Sequence, residues 1–533
     1  VSNTDTFIKQ GAYNTETATS WSWGALKNVN YFIDGCNDPK YCTVEAETRD
    51  NYLGIARWFR AWFYYDKLTT YGEVPWFPND IQSYQNDVMY KDRDSRDVII
   101  RNLIADLDFA YEHIQATSST GSATLTRWAA AALKSRVCLF EAAYRRYHNL
   151  TGLEITPEEL YREAAKAAKL VIDNSGCSLN TAAGKKGAYR DLFYSETPLT
   201  QEAILAVCAN EKSGIFGEQN WWFNARSYGL CWSLVRSFVH TYLKQDGTPF
   251  TAAADYAVKS FAEEMEGRDL RLEQTVRGRN FLWDGKTAVA DIKNLSLTGY
   301  QVIKYTLDES KYDGGAKNIN SIPLIRYAEV LLNYAEAQAE LGVLTDSEWA
   351  LTVGALRKRA GITGGTETLP TTVDSYLQRT FYPDVTSPVL LEIRRERAIE
   401  LVAEGMRFDD LRRWKCGSLM ETLPWSGIHI PGLEQPVDVN GDGVDDYYFT
   451  EGEVTAAPAA YRNIAIRVNQ DGVGLYAEAN AVAGYDLVYK TGAGDRYWYP
   501  DGRQYLYPIP AKVIRDYRNA GYTISQNPEW DNE

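Results

Sequence analysis

A strong helix start signal near residue 156 constrains the fold of this chain more than any other feature of its sequence. In the segment ITPEELYREAAKAAKLVIDNSG, Thr156 is a predicted N-cap, Pro157 suits the first helical turn, and Glu159 completes a capping box. The preceding segment, TRWAAAALKSRVCLFEAAYRRYH, also has the character of a helix, and its alanines would allow a neighbour to approach closely. Because only a short loop separates the two segments, they predict an antiparallel helix pair.

Helix pairs of the same kind recur along the chain. The segment IPLIRYAEVLLNYAEAQAELG is a predicted helix with one narrow polar stripe, and we expect its acids Glu329 and Glu336 to pair with Arg326 and its neighbours on stacked helices. A second capping box follows, with Thr345 as the N-cap and Glu348 as its partner. The predicted helix pairs lie near residues 20–148, 157–175, 322–360 and 388–414. The sequence therefore predicts a mainly α fold of tetratricopeptide-like helix pairs, an α-α superhelix with a loop-rich face and a few short strands.

The aromatic run ARWFRAWFYY at residues 56–65 raises the question whether its rings bind a ligand or pack helices together. Placed on a helix, residues 53–71 are apolar almost all round, with the cationic side chains confined to one sector. A helix of that kind is packed on several sides at once, so we expect its rings to belong to the core. The rings concerned are Trp58, Phe59, Trp62 and Phe63.

Composition and charge exclude several classes of protein. The net charge of −15, with no run of Lys and Arg, argues against nucleic-acid binding. No uninterrupted apolar stretch is long enough to span a bilayer. The regions near 176–320 and 415–510 are loop-rich, and the chain has no Gly/Ser-rich or Pro-rich linker. We therefore expect residues 1–533 to form a single domain, with the ligand site in those loop-rich regions.

The seven cysteines and four histidines do not form a recognisable framework. The cysteines are widely scattered, and no two histidines have the spacing of metal ligands. Only Cys36 and Cys42, in the segment GCNDPKYC, are close enough to suggest a disulfide. The sequence leaves open whether these two residues are bridged.

Four segments, in this order along the chain, resemble hallmark segments of the SusD/RagB family. They are YLGIARWFRAWFYYDKLTTYGEVPWF, IPLIRYAEVLLNYAEAQAELG, LEIRRERAIELVAEGMRFDDLRRW and YLYPIPAKVI followed by NPEW. The less specific DGTPF at 246–250, followed by GRDLRL, falls between the first two, as in that family. The resemblance covers the chain from about residue 50 to its end.

This resemblance implies a surface lipoprotein of Bacteroidetes that binds glycans, or sometimes peptides, and is not an enzyme. It implies that the protein captures oligosaccharides on the extracellular face of the outer membrane and delivers them to a SusC-like TonB-dependent transporter. The lipid-bearing cysteine of the family is not in this sequence, which fits a chain that begins after it. We therefore expect membrane attachment only through that N-terminal lipid.

Aromatic residues on loops are the candidates for sugar contacts, because a flat ring stacks on the apolar face of a sugar. Trp76 lies in the loop GEVPWFPND, where it either contacts ligand or plugs the end of the preceding helix. The segment GEQNWWFNARSYGLCW offers Trp221 and Trp222 as stacking residues. In the same segment, Asn220 and Arg226 are hydrogen-bonding neighbours. The alternative is that both rings pack this segment onto the helices.

A further candidate is Trp283 in RNFLWDGK, which we place beside a turn made by Asp284 and Gly285. A tryptophan at the tip of a turn is a reasonable sugar contact. Trp498 in GDRYWYPDGRQY precedes the last hallmark segment, and we expect it to have a packing role. All these candidates depend on loop placement alone, since ligand contacts differ between members of the family.

The segment DVNGDGVDD at 438–446 resembles a calcium-binding loop of the EF-hand type. Asp438, Asn440 and Asp442 have its alternate spacing, and Gly443 stands at its sharp turn. The Val444 carbonyl and Asp446 would be the next ligands, whereas Phe449 replaces the final glutamate. The loop predicts a structural Ca²⁺ ion, although an Asx-rich surface turn would have a similar sequence.

The sequence thus predicts a glycan-binding protein and leaves three alternatives open. They are a peptide-binding member of the same family, a scaffold that binds proteins through its helix pairs, and, less favoured, a glycoside hydrolase. A hydrolase would need two carboxylates facing each other across a sugar, and 71 acidic residues make a chance pair easy to nominate. No GxSxG, HExxH or phosphate-binding loop is present in the sequence.

Overall fold

The computed structural model describes residues 7, 9, 11–117, 123–225, 231–292, 294–470, 472, 474–490 and 496–531, and it is mainly helical, as the sequence predicts. The helices are α1 Gly24–Asn37, α2 Ala46–Tyr71, α3 Asn86–Met89, α4 Arg96–His113, α5 Arg127–Tyr147, α6 Pro157–Asn174, α7 Ala188–Tyr194, α8 Gln219–Asn224, α9 Arg236–Val239, α10 Phe261–Met265, α11 Arg271–Thr275, α12 Tyr327–Glu340, α13 Asp346–Leu351, α14 Val353–Arg359, α15 Ser375–Phe381, α16 Pro388–Glu400, α17 Met406–Arg413, α18 Leu419–Thr422 and α19 Ala511–Asn519. The strands are β1 Ala203–Val207, β2 Leu282–Trp283, β3 Lys286–Thr287, β4 Ile322–Arg326, β5 Ser426–Ile430, β6 Pro436–Val437, β7 Tyr447–Thr450, β8 Ala465–Arg467, β9 Leu475–Ala479 and β10 Tyr485–Tyr489.

The helix pairs that the capping signals predict are present. Helix α5 packs along α6, α2 packs along α4, and α12 packs on both α6 and α16. At the start of α6, the Thr156 hydroxyl accepts the Glu159 amide at 3.2 Å, and the Glu159 carboxylate accepts the Thr156 amide at 2.8 Å. The second capping box, at Thr345 and Glu348, also forms, at the start of α13. The tetratricopeptide-like interpretation of the fold is therefore confirmed.

The predicted helix at IPLIRYAEVLLNYAEAQAELG begins later than the sequence suggests. Its first residues, Ile322–Arg326, form strand β4, which pairs antiparallel with β1, and α12 starts at Tyr327. Pro323 lies inside this strand, where it cannot donate to a helix or a ladder. The two-stranded β1–β4 sheet thus links the loop-rich part of the chain to the helices.

The polar stripe of α12 is buried and makes ion pairs with other partners than the sequence predicts. Glu329 binds Arg136 of α5, with both N–O distances at 2.6 Å, and Glu336 binds Arg413 of α17. Arg326, the expected partner, instead binds Glu400 and neighbouring acids. A buried ion pair that loses one partner costs about 3–5 kcal/mol, so these pairs fix which helices are neighbours.

Helix α2 is not buried on every side. The indole of Trp58 is buried and donates to the Ala129 carbonyl at 3.2 Å, as expected for a core ring. Phe59, however, is 50% exposed, which corrects the prediction that it belongs to the core. Trp62 and Phe63 are half-buried at the edge of the core. The reason is that α1, α4 and α5 cover only part of the circumference of α2.

The hydrophobic core has two main parts. The larger is built by the helix pairs, and the smaller lies among the strands and short helices of the loop-rich regions, with Val239, Ile428, Phe449 and Leu487 among its members. Two three-stranded sheets, ordered β5-β10-β9 and β6-β7-β8, border the smaller part. Among the described residues, none of the helices is both long enough and apolar enough to cross a bilayer.

The two neighbouring cysteines near the amino terminus are free thiols in this structure. Cys36 lies at the end of α1, and Cys42 follows in the turn after it. Burial raises the pKa of the Cys36 thiol, and the nearby Cys42 thiol adds to that rise. The two side chains are thus close neighbours without a disulfide between them.

Candidate functional site

A cleft of about 760 Å³ opens between α2 and the loop-rich regions, and we call it the central cleft. Its walls come from α2 at residues 62–69, from α8 and its flank at 217–223, from β4 and the start of α12 at 322–329, and from the turn after α16 and the start of α17 at 401–409. Helix pairs and loops therefore meet at this place, and the helices hold its walls rigidly.

Aromatic rings from separate parts of the chain line the central cleft. Trp222 is 39% exposed and Trp232 is 38% exposed. The Phe223 ring lies 5.6 Å from that of Trp232 and stacks on Tyr305 at 6.0 Å with an interplanar angle of 27°. Trp62 of α2 lines the same cleft. Such an open array of flat rings matches what a saccharide stacks on.

Charged groups in the wall of the central cleft are held by partners. Arg136 binds Glu329, and Arg326 binds both carboxylate oxygens of Glu404 at 2.7 Å. Burial opposes the ionisation of Glu404, but the charges of Arg326 and Lys304 hold its pKa below the usual range. Behind it, burial lowers the pKa of Lys304 to about 8. The N–H groups of Arg326 are all bonded to Glu202, Glu400 or Glu404, so these ion pairs form a fixed and largely buried polar backing of the cleft wall.

Helix α8 carries Trp222 and is anchored by one buried asparagine. The Asn220 side chain accepts the Leu307 amide and donates to the Leu307 carbonyl, both at 2.8 Å. Its oxygen also accepts Asn318 at 2.7 Å, and its nitrogen donates to Asp313 at 3.1 Å. Because all its polar atoms are used, Asn220 positions the helix and is not available to a ligand, which corrects its prediction as a sugar contact.

The segment around Trp221 and Trp222 is helical, whereas the sequence predicts that these two residues lie on a loop. Neighbouring rings on a helix point about 100° apart, so only one of the two need face the cleft. Trp222 lines the central cleft, whereas Trp221 is half-buried and lies outside its lining. Arg226 lies outside the described residues.

Two other predicted site residues are far from this arrangement. Trp76 is only 7% exposed, and its ring lies 4.1 Å from that of Tyr64, so Trp76 packs over the end of α2. The prediction of Trp76 as a ligand contact is therefore not supported. Trp283 lies beside the predicted turn: β2 and β3 form a hairpin in which Asp284 and Gly285 have positive φ. Trp283 is half-buried and does not line the central cleft. Trp498 is buried, consistent with packing.

The predicted calcium loop connects β6 to β7 and is organised by its own side chains. The Asp438 carboxylate accepts the amides of Gly441 at 2.7 Å and Gly443 at 2.8 Å. The Asp442 carboxylate accepts the Val444 amide at 2.9 Å. Gly443 has φ of 88°, the sharp turn that the sequence predicts. The loop is thus a compact Asx-rich turn.

Some of the remaining features of this loop favour a bound calcium ion, and others favour a plain surface turn. Burial raises the pKa of Asp446, and the charges of Asp442 and Asp438 add to that rise. The Asn440 carbonyl accepts Arg279 at 3.2 Å, and Phe449 is fully buried. In the part of the chain that the structure describes, no three His, Cys, Asp or Glu side chains are grouped to hold a metal. The calcium ion stays a prediction.

Sequence reasoning missed several residues of the central cleft. Trp232 closes the same segment as Trp222, and a loop tryptophan there is a detectable signal. Trp62 was hidden because its helix is apolar all round, and no periodicity shows which sector its neighbours leave open. Residues 322–329 and 401–409 lie in two of the hallmark segments, but nothing in the sequence marks them as cleft residues, because only the fold brings them together.

Comparisons with known proteins agree on the fold. The model of the SusD family matches residues 201–530. A SusD-like protein from Bacteroides fragilis has 21% identity and a TM-score of 0.63, with 94% of this chain and 84% of that chain covered. A SusD-like carbohydrate binding protein from the same species has 20% identity and a TM-score of 0.65, with 95% and 87% covered. Surface glycan-binding protein A from Bacteroides fluxus has 18% identity and a TM-score of 0.52, with 93% and 83% covered.

A search of curated proteins finds no match. The solved structures, at these identities, show that the fold is shared. The family model, in contrast, matches more than half of the chain by sequence. The chain therefore belongs to the SusD family.

Proposed function

We propose that this protein is a cell-surface glycan-binding protein and that the central cleft holds the oligosaccharide. The observation that carries this proposal is the set of partly exposed rings of Trp222, Trp232, Phe223 and Trp62 around one cleft with a polar wall. Rings stack on the apolar faces of sugars, and the exposed carboxylates of Asp66 and Glu218 in the lining can accept hydrogen bonds from hydroxyls. Family membership and the descriptions of two similar structures, as carbohydrate-binding and glycan-binding proteins, support the same ligand class.

We further propose that the protein binds its glycan without cleaving it. Glycoside hydrolysis needs a carboxylic acid with a raised pKa opposite a second carboxylate. In the central cleft, Glu329 and Glu404 are each held by an arginine, and Asp409 binds Arg412 at 2.6 Å. The charges of Arg326 and Lys304 hold the pKa of Glu404 below its usual range, which is the opposite of what an acid catalyst needs.

Delivery to a SusC-like TonB-dependent transporter, and a lipid anchor on the extracellular face of the outer membrane, are part of the proposal. They are supported by membership of the SusD family and by the order of the four hallmark segments. A direct test is co-purification of the protein with a transporter after mild detergent extraction of its native membrane. Absence of any outer-membrane transporter from that complex would contradict this part.

A peptide is the second candidate ligand, and one observation favours it. The two-stranded sheet of β1 and β4 reaches the central cleft, where Val207 is 56% exposed and Leu324 is 38% exposed. An extended peptide can add to an exposed strand edge through its backbone. A panel of peptides therefore belongs in the binding test beside the glycans.

The test of glycan binding is retardation in native gels that contain neutral polysaccharides. The unmodified protein should be retarded by at least one of them, with no reducing ends released. Trp222→Ala should weaken binding roughly 10- to 30-fold, the cost of about 2 kcal/mol that a central aromatic contact carries. Trp283→Ala is the matched control, since Trp283 lies outside the central cleft. Equal losses in both variants, or release of sugar by repurified protein, would contradict the proposal.

A further inference from the structure

A second cleft of about 750 Å³, which we call the lateral cleft, lies between the segment before α1 and the carboxyl-terminal helix α19. Trp21 and Trp23 line one side, and Tyr90 and Tyr517 line the other. The first three of these rings are half-buried, so each keeps an accessible part. The volume is nearly that of the central cleft.

The two clefts lie on opposite sides of α2. Trp62, Tyr65 and Asp66 line the central cleft. Trp23 of the lateral cleft packs on Phe63 at 5.6 Å and on Tyr64 at 6.1 Å, which project from the other face. With 3.6 residues per turn, these two sets of positions point in roughly opposite directions. The aromatic run of α2 therefore supports both clefts.

The walls of the lateral cleft are held in place before any ligand arrives. The ring of Trp21 lies 5.2 Å from Trp23 at 72° and 4.9 Å from Tyr71. On the other wall, Tyr90 stacks on Tyr522 at 5.3 Å and 14°. A preformed cleft of this size with rigid rings has the character of a small-molecule site.

The charges at the rim of the lateral cleft favour an uncharged ligand. Glu16 binds Arg515 at 2.6 Å, and Asp516 binds Lys512 at 2.6 Å, so each acid is paired with a base. Lys27 is a further base in the lining, and its side chain is exposed to solvent, which screens its charge. All described residues that line this cleft lie in helices, turns or loops, so no strand edge is offered to an extended peptide. Accessible rings with neutralised polar groups around them fit a neutral saccharide.

We propose that the lateral cleft is a second saccharide-binding site, separated from the central cleft by α2. It takes neutral sugars, the same ligand class as the proposed function, on which this inference rests for its chemistry. The two sites then bind separate short oligosaccharides or two parts of one long glycan, and a chain held at both places gains avidity.

The test uses a variant that blocks the lateral cleft without removing any contact. Gly24 lines this cleft at the first residue of α1, and a Cβ there would meet no atom within 4 Å. Gly24→Phe therefore places a ring in the cleft. Gly35→Phe is the matched control, because Gly35 lies on the same helix, has the same open surroundings and does not line the cleft.

Binding is measured by isothermal titration calorimetry with neutral trisaccharides of glucose, mannose, xylose and galactose. We expect two trisaccharides per unmodified chain and per Gly35→Phe chain, and one per Gly24→Phe chain. Trp222→Ala should keep one site at its original affinity and bind 10- to 30-fold more weakly at the other, and the double variant should keep only the weakened site. One trisaccharide per unmodified chain, with Gly24→Phe unchanged and all binding weakened in Trp222→Ala, would overturn only the second site. No binding by the unmodified chain would overturn both proposals. Binding of peptides that Gly24→Phe abolishes, without sugar binding there, would overturn the saccharide assignment.

Discussion

The group beneath α8 shows how single residues place the rings of the central cleft. Asn220 joins the helix to Leu307 and Asn318, and its amide also donates to Asp313. Burial raises the pKa of Asp313 to about 6, although the hydrogen bonds of Asn220 and Asn224 lower it in part. A half-buried carboxylate thus lies directly under the helix that presents Trp222.

The first prediction concerns the pH dependence that Asp313 creates. Its pKa is about 6 in the folded protein against an ordinary value of 3.8, so the folded state binds the proton more tightly between these values. Its contribution to stability is therefore fully present below pH 3.8 and is lost as pH rises through 6. Asp313→Asn keeps the acceptor for Asn220 and removes the charge. We expect the variant to be more stable than the unmodified protein at pH 7.5, by about 1 kcal/mol once the full shift is discounted for a half-buried carboxylate, and nearly equal at pH 4.

Thermal melts of both proteins from pH 4 to pH 8 check this prediction. Asp445→Asn, at an exposed position of the β6–β7 loop, is the control for removal of one negative charge. A variant of Asp313 that is less stable at pH 7.5 would show that its charge makes a needed interaction.

At the scale of elements, α2 separates the central cleft from the lateral cleft. Trp58 and Trp62 stack on one side of α2 at 5.2 Å, where Trp58 is buried in the core and Trp62 reaches the central cleft, and a strip that includes Phe59 stays open. The same aromatic chemistry thus serves packing and ligand contact on one helix. Which role a ring takes depends on what lies beside it.

The second prediction separates these roles with two rings of α2. Trp62→Ala should weaken glycan binding roughly tenfold, because a ring of the central cleft is lost. Phe59→Ala, one turn away and outside that cleft, should leave binding unchanged and alter stability by less than about 0.5 kcal/mol. Affinity gels and thermal melts of both variants give the comparison. Equal effects on binding would mean that α2 acts only through stability.

The loop between β6 and β7 gives the third prediction. Three carboxylates lie close enough for two of them to raise the pKa of Asp446, and Ca²⁺ would neutralise their repulsion. We expect 1 mM CaCl₂ to raise the melting temperature by a few degrees, which corresponds to about 1 kcal/mol, and excess EGTA to reverse it. Asp442→Ala should remove the response. A melting temperature that ignores both additions in the unmodified protein would eliminate the calcium ion.

The sequence predicted best the features that depend only on residues close together in the chain. Both capping boxes, the Asp284-Gly285 turn and the positive φ of Gly443 form as expected, because neighbouring residues alone decide them. Predictions from the sequence were wrong where residues distant in the chain determine the local structure or its exposure. The strand at Ile322–Arg326 depends on pairing with β1, and the exposure of Phe59 depends on which helices cover α2. Of the predicted glycan-binding residues that the structure describes, only Trp222 lines the central cleft, where α8 brings it beside residues 322–329 and 401–409.

At the scale of the whole molecule, the four resembling segments are neighbours. The fourth lies beside the first, because the Tyr507 amide donates to the Thr70 carbonyl. The first forms α2, the second β4 and α12, and the third α16 and α17, and parts of all three line the central cleft. This convergence explains why the resemblance extends over so much of the chain. The interpretation of residues 1–533 as a single domain stays a prediction.

The net charge of the molecule leads to the last prediction, which concerns the charge of the ligand. The chain carries −15, and the lining of the central cleft adds to this field locally. Its acids are Asp66, Glu218, Glu329, Glu404 and Asp409, whereas its bases are Arg136 and Arg326. An excess of acids in a cleft raises the free energy of bringing an anion into it. We therefore expect neutral oligosaccharides to bind at least tenfold more tightly than sulfated or uronate-containing oligosaccharides of the same length.

Salt and substitution together test this origin of selectivity. Raising the ionic strength from about 0.02 M to 0.5 M should reduce the difference in affinity between neutral and anionic oligosaccharides, because the Debye length shortens from about 20 Å to about 4 Å. The double variant Asp66→Asn, Glu218→Gln removes two exposed charges from the lining. At low salt it should reduce the difference in affinity between neutral and anionic oligosaccharides, and its affinity for neutral sugar should be nearly unchanged. The control double variant Asp445→Asn, Glu529→Gln removes two exposed charges elsewhere and should leave this difference in affinity unchanged. Tighter binding of the anionic sugar by the unmodified protein would mean that Arg136 and Arg326, and not the excess of acids, set the selectivity.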